Sequence, residues 1–377
     1  MGAKIMFSGL RVLLIAIGAI GLLAAPHAVG KAAAGSQSAE LKKVIAEANK
    51  EGVLKIQWSA GRIGGDAGIR QMVTAMNKRY GTNIKLQFTP GPNFPKMLNK
   101  LLQEKAANRP ASTDIQLGTS NHISGGLKKG MLRKIDWNSI LERPAPADAN
   151  VNRVATEGAG LMIASRVVGI TYNTKFVKGS DVPTSMEDVF KPKWKGKIGS
   201  TPYATGLYQF AAKDMLGYEF MKNYTKRLAK QIGGLFSCNT MERVASGEFL
   251  MLVFDCGHDD SLRLKRRGAP LGHATIKEIG RVNIIYFGVP KHAQNPNAAI
   301  LFSNFLNTKE GQALQWDLAG HDLHIYHDAH TRAPVQKIIA QKGKLIIDTV
   351  QRAFKIGHKE VDRIKREFVK ILKQGGV

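Results

Sequence analysis

Long apolar runs are nearly absent from this sequence. Only Val12 to Ala25 is almost wholly apolar, and it falls short of the ~20 residues that span a bilayer. With Lys4 and Arg11 beside it and small residues after it, the run reads as a secretory signal peptide over residues 1–34, cut after Ala34 or after Gly30, rather than a membrane anchor. No cysteine lies near either point, which argues against lipid attachment. The early region has no adjacent arginine pair, which points to export of an unfolded chain by the general route. A chain of 377 residues with 44% hydrophobic and 22% charged residues and no second apolar run is otherwise that of a soluble globular protein, expected in the periplasm.

Acidic residues are also few, with 29 Asp and Glu against 55 Lys and Arg and a net charge of +26. Such a surplus attracts anions and repels cations over a distance set by salt. Nucleic acid is the obvious competing partner, but no aromatic-interleaved basic motif occurs, the basic residues are spread along the chain, and export argues against it. Catalytic signatures are missing as well, since there is neither a nucleophile elbow nor a zinc-ligand helix motif. Cys238 and Cys256 are the only cysteines. In an oxidising compartment they could form one bridge. They flank a helix and its return strand on one side, with an offset that leaves paired and separate thiols both open.

Leu41 to Ala48 has an apolar face of helical period, and Val53 to Trp58 reads as a strand. A flexible loop, Ser59 to Gly65, leads to a helix over Ile69 to Tyr80 and a strand over Ile84 to Phe88, completing a βαβ unit. Helix Phe94 to Ala107 and strand Asp114 to Leu117 repeat the alternation, which implies an α/β lobe with helices on both faces of its strands. About 340 mature residues exceed one hydrophobic core, so two lobes are expected from size.

Gly169 to Ile198 reads as a crossing between lobes: a β-branched strand, the polar pair Tyr172-Asn173, Thr184 and Glu187 at capping-box spacing, and then Pro192 and Trp194 before another strand. This segment resembles the YNT, P-x-S-x-E-D-L and P-K-W-K-G-K series of the periplasmic solute-binding proteins of ABC importers, in the group that contains the ferric-iron binders. Arg243 to Glu248 before the apolar strand Phe249 to Phe254 is similar to the same family, as is Val289 to Gln312, and the resemblance covers most of the mature chain. It implies the α/β, two-lobe periplasmic binding protein fold of type II, hinged by two crossing strands. The expected parts are lobe 1 over 35–167, lobe 2 over 168–255, more of lobe 1 over 256–330, and a helical tail over 331–377 packing on lobe 2.

In open α/β sheets, ligands settle where loops leave the carboxyl ends of strands. The candidates are therefore Ser59, Gly61 and Arg62, whose glycine-rich loop allows close backbone approach and whose guanidinium can fork onto a carboxylate or phosphonate. Spacing of the form G-x-x-G-G does not match a dinucleotide fingerprint. Asn93, Thr119 and Asn121 sit in the loops after the next strands. Across the cleft, Tyr203, Thr205 and Gly206 precede a helix expected near Leu207, the preferred anion site. Asp255 is expected at the cleft edge and Tyr286 in the last strand of lobe 1, with buried structural roles as the alternative for both.

The resemblance implies capture of a small solute by hinge closure and delivery to an inner-membrane ABC permease; the net charge and the Ser200 to Gly206 loop favour an anionic or phosphonate-like solute, and a monomer with no cofactor is expected. Ferric-iron binders of the family commonly hold metal with two adjacent tyrosines after the return strand. Here that place reads Asp255-Cys256-Gly257-His258, so a metal site would need Asp255, His258 and Asp259 instead. Iron or another metal is the alternative cargo, and an exported enzyme the second alternative. His321, His324, His327 and His330 recur every third residue. A helix does not stack all four, and a solvated surface is the expected setting.

Overall fold

Strand and helix alternate from the start of the computed structural model, which describes residues 37–149, 151–356 and 358–375. The leader expected over 1–34 lies outside them. The first part of the chain supplies α1 (Ala39–Glu51), β1 (Val53–Trp58), α2 (Gly65–Tyr80), β2 (Lys85–Pro90), α3 (Phe94–Ala106), β3 (Gln116–Gly118), α4 (Ser120–Lys128) and α5 (Trp137–Ile140). β1 and β2 pair in parallel, joined by α2 as the βαβ reading requires. The Asp114 carboxylate and main-chain N–H tie the next segment to Lys55 of β1, each at 2.8 Å.

The first crossing is β4 (Leu161–Val168) running into β5 (Ile170–Asn173) with Gly169 between. Gly169 is required there because a Cβ would come within 2.3 Å of the Ala274 carbonyl oxygen. The second lobe continues through β6 (Ile198–Ser200), α6 (Leu207–Phe210), α7 (Tyr218–Gln231), β7 (Gly234–Leu235), α8 (Glu242–Ala245), β8 (Met251–Val253), α9 (His258–Lys265) and β9 (Leu271–Ala274). Its sheet runs β7-β6-β8-β5-β9. The chain returns in β10 (Ile279–Gly288), which pairs antiparallel with β4 and β3, so the two crossing strands lie side by side. α10 (Pro296–Asn307), α11 (Lys309–Ala319), α12 (Arg332–Ala340), β11 (Lys344–Ile347), α13 (Val350–Ile356) and α14 (His358–Gln374) complete the chain.

The two largest hydrophobic cores lie one in each lobe. Trp58, Phe287, Phe302 and Phe305 fill the first, and Phe210, Tyr224, Phe254 and Phe368 the second. The two lobes form one compact unit over the described residues. No helix among the described residues is long and apolar enough to cross a membrane.

Several local details differ from the sequence reading. β9 pairs with β5 and so belongs to the second-lobe sheet. The tail divides: β11 extends the first-lobe sheet beside β10, whereas α14 lays Ile364, Phe368 and Leu372 on the second-lobe core, with Phe368 stacked on Tyr218. The capping box after Pro183 is formed by Ser185 and Asp188 rather than Thr184 and Glu187, because Glu187 turns outward to Arg227. Of the two states that the sequence leaves open for Cys238 and Cys256, the structure has the disulfide, with Cα atoms 6.0 Å apart.

Candidate functional site

Ser59 Oγ donates to the Pro92 carbonyl (3.2 Å), which ties the loop after β1 to the loop after β2. Between them Arg62 reaches away from the first lobe. Its Nη2 donates to Asn239 Oδ1 of the second lobe (3.1 Å), its Nη1 lies 3.4 Å from Asp260 Oδ1, and its guanidinium rests over the Phe94 ring. Thus the arginine singled out in the sequence bridges the gap between the lobes.

α9 sits where the crossings meet, packed on β9 and β4. Its first turn carries Asp259 and Asp260 against Arg166, the one charged residue of β4. Arg166 is 3% exposed, and it donates from Nε to Asp259 Oδ1 (2.6 Å) and from Nη2 to Asp260 Oδ2 (2.7 Å). Burial would lower the Arg166 pKa, but the two carboxylates outweigh it and raise it. Burial would likewise raise Asp259, yet Arg166 and His321 hold it below the usual carboxylate range. His258 accepts the Val167 N–H at Nδ1 (3.1 Å), and burial pushes its pKa down to about 4, so it is neutral. This network fastens α9 to the crossing strand.

Two adjoining cavities flank it. The inner one, about 10 Å³, is lined by Arg62, Phe94, Arg166, Asp260, Arg263 and His321 among others, room for roughly one water. The outer one, about 260 Å³, lies between the glycine-rich loop, Ala60 to Gly65, and Arg263, Arg266 and Arg267 at the far end of α9. Gly61, Arg263 and Ala319 border both.

The remaining sequence candidates fall elsewhere. Asn93 caps α3, accepting the Lys96 N–H, and the Thr119 N–H donates to His122 Nδ1 at the start of α4. Asn121 is exposed. Tyr203 Oη accepts the Cys238 N–H (3.0 Å), so it braces the disulfide. Thr205 is buried, and its N–H donates to Thr201 Oγ1. Gly206, at φ 77°, packs against Phe254, and the helix it starts is only four residues long, too short to present an anion site. Asp255 is fully buried, accepting from the Gly169 and Gly257 N–H groups and from Thr171 Oγ1, with His273 Nε2 at 3.3 Å. Tyr286 is fully buried in the first-lobe core. For both, the structural alternative describes their surroundings.

The histidine series does not converge. His321 faces Asp259 and His324 faces Ser165, both buried, while the exposed His327 and His330 reach Asp148 and Asp322. Only the last two fit the expected solvated setting. Among the described residues no group of three or more His, Cys, Asp or Glu side chains is placed to hold a metal ion, Asp255, His258 and Asp259 included.

The family model of the bacterial extracellular solute-binding proteins matches residues 71–325. Among solved structures, the chain is similar to the substrate-binding protein of an ABC transporter from Agrobacterium tumefaciens, at 13% identity and TM-score 0.67 over 85% of this chain and 94% of that one. It is similar to the spermidine/putrescine ABC transporter substrate-binding protein PotD of Streptococcus pneumoniae (15%, TM-score 0.63, 85% and 99%). It is also similar to the periplasmic binding protein AfuA of Actinobacillus pleuropneumoniae with fructose-6-phosphate bound (20%, TM-score 0.62, 85% and 98%). These likenesses carry the fold, the two-lobe type II architecture. No match is found among curated proteins.

Proposed function

The chain belongs to the family of bacterial extracellular solute-binding proteins, and on that premise we propose that it captures a small anionic solute between its lobes and presents the closed form to the permease of an ABC importer. Solutes differ among its structural neighbours, one a polyamine transporter's binding protein and another holding a sugar phosphate, so the choice of anion rests on this chain's own residues. The observation that carries it is the gathering of Arg62, Arg166 and Arg263 around one carboxylate oxygen pair of Asp260, at 3.4, 2.7 and 4.0 Å, beside a cavity with further arginines. Arg166 is committed to Asp259 and Asp260. Arg62 and Arg263 hold Asp260 only at long range and keep donors for a carboxylate or phosphonate. The two acids at the cleft, Asp259 and Asp260, face three arginines, Arg62, Arg166 and Arg263, so the local balance is positive and disfavours a cationic solute.

Binding then drives closure by differential affinity. If closing the empty protein costs ~2 kcal/mol, contacts made only in the closed form must exceed that. The crossing strands β4–β5 and β9–β10 are the hinge in this reading, and Arg62, which spans to Asn239, is the contact that ligand would remodel. Native mass spectrometry of gently purified protein tests the reading. A retained small anion is expected, and a retained polyamine, neutral sugar or metal ion contradicts it.

A further inference from the structure

The outer cavity is not needed to hold the fold together. Arg266 alone of its arginines has an evident structural task, donating to the Trp316 and Asp317 carbonyls at the end of α11 (2.6 and 2.9 Å) while stacking over Trp316. Cations are favourable at a helix C-terminus for just this reason. Among the described residues Arg263 has one partner, Asp260 at 4.0 Å. The exposed Arg267 side chain has no hydrogen bond or ion pair among the described residues. Opposite them the wall is side-chain-free backbone at Gly61, Gly64 and Gly65, where α2 begins without a side-chain cap. Among the described residues Asp317 is the one acid lining the cavity, against three arginines.

A second, independent feature points inward from the same wall. His321 is 4% exposed and lines the inner cavity. With Nδ1 turned to Asp259, its Nε2 has no partner. A buried polar atom left unpaired is costly, and with Nδ1–H directed at the Asp259 carboxylate Nε2 is an acceptor, which a ligand hydroxyl or a single water in the inner cavity would pair. Arg263 borders both cavities, so one elongated molecule in the outer cavity can reach the mouth of the inner one.

We infer that the site takes a solute with anionic groups at both ends, one end meeting Arg62 and Arg263 at the mouth of the inner cavity, whose room for one water lets a hydroxyl or a bridging water reach His321, and the other lying in the outer cavity on Arg267 and the start of α2. The inference rests on the anionic reading above and adds to it the second charged end. A cavity of about 260 Å³ suits a small solute, just under the usual range for ligand pockets.

Calorimetric titration of the purified protein with two matched pairs tests it: glycerol 3-phosphate against 3-phosphoglycerate, and butyrate against glutarate. In at least one pair the two-ended member is expected to bind at least tenfold tighter. Arg267→Gln, a change at an exposed position, is expected to bring that member to the affinity of its one-ended partner and to leave the partner's affinity unchanged. Equal binding within both pairs, or a preference that survives Arg267→Gln, overturns the second compartment and leaves the anionic reading standing. Failure of all four anions to bind overturns both.

Discussion

The inner and outer cavities are built from the same residue type and do opposite things with it. Arg166 in the inner wall is buried and bound at both ends of its guanidinium by Asp259 and Asp260. Arg267 in the outer wall is exposed and has no partner among the described residues. Paired charge in a water-poor setting is architecture, because removing either partner strands the other. Unpaired charge beside a cavity is available to a solute. In a chain with a net charge of +26, the division between the two tells where specificity lies better than the total does.

Breaking the paired side has the largest effect. Arg166→Met keeps much of the side-chain volume but leaves two buried carboxylates without their cation, and is expected to cost about 3–5 kcal/mol in urea unfolding. A loss under 1 kcal/mol would mean that α9 is held to β4 by something other than this network.

Acid sharpens the same contrast. Burial holds both His258 and His324 down to about 4, so they stay neutral in the fold. The unfolded chain takes up protons below about 6.5 that the folded chain does not, so stability is full above that value and falls as pH drops toward 4. At pH 5.5 the expected loss is about 1.4 kcal/mol for each residue relative to pH 7.5 or above. Urea midpoints at the two pH values measure it, and His324→Gln should remove its share. A flat profile would show that these imidazoles are not held neutral.

The fold was legible where periodicity is local. Val53–Trp58 as a strand, the helix ending at Tyr80 and the crossing near Gly169 follow from apolar alternation, helical spacing and turn residues, and the structure has each of them. Less legible was anything set by partners far apart in the chain. Arg166 and Asp260 are 94 residues apart, and neither stands out alone. The available signal was a single charge inside the apolar strand Leu161–Val168 and an acidic pair opening a helix after the return strand. Arg62 stood out because it is a lone cation in a glycine-rich loop, and the structure places it across the gap to Asn239. The role of Tyr203 was not legible, because its place depends on the disulfide it braces. The three-residue histidine period misled for a related reason: it describes a backbone path, and that path turns His321 and His324 inward and His327 outward.

The central claim, that Arg62 holds an anionic solute between the lobes, is tested most directly by thermal unfolding of the wild-type protein and Arg62→Gln with 3-phosphoglycerate, glutarate, phosphate and, as the cationic control, putrescine. At a hundredfold excess over its dissociation constant, the best anion should stabilise the wild type by about 2.7 kcal/mol. Arg62→Gln should bind it at least tenfold more weakly, and putrescine should do nothing. Stabilisation by putrescine, or an anion shift of the same size in both proteins, would contradict the account.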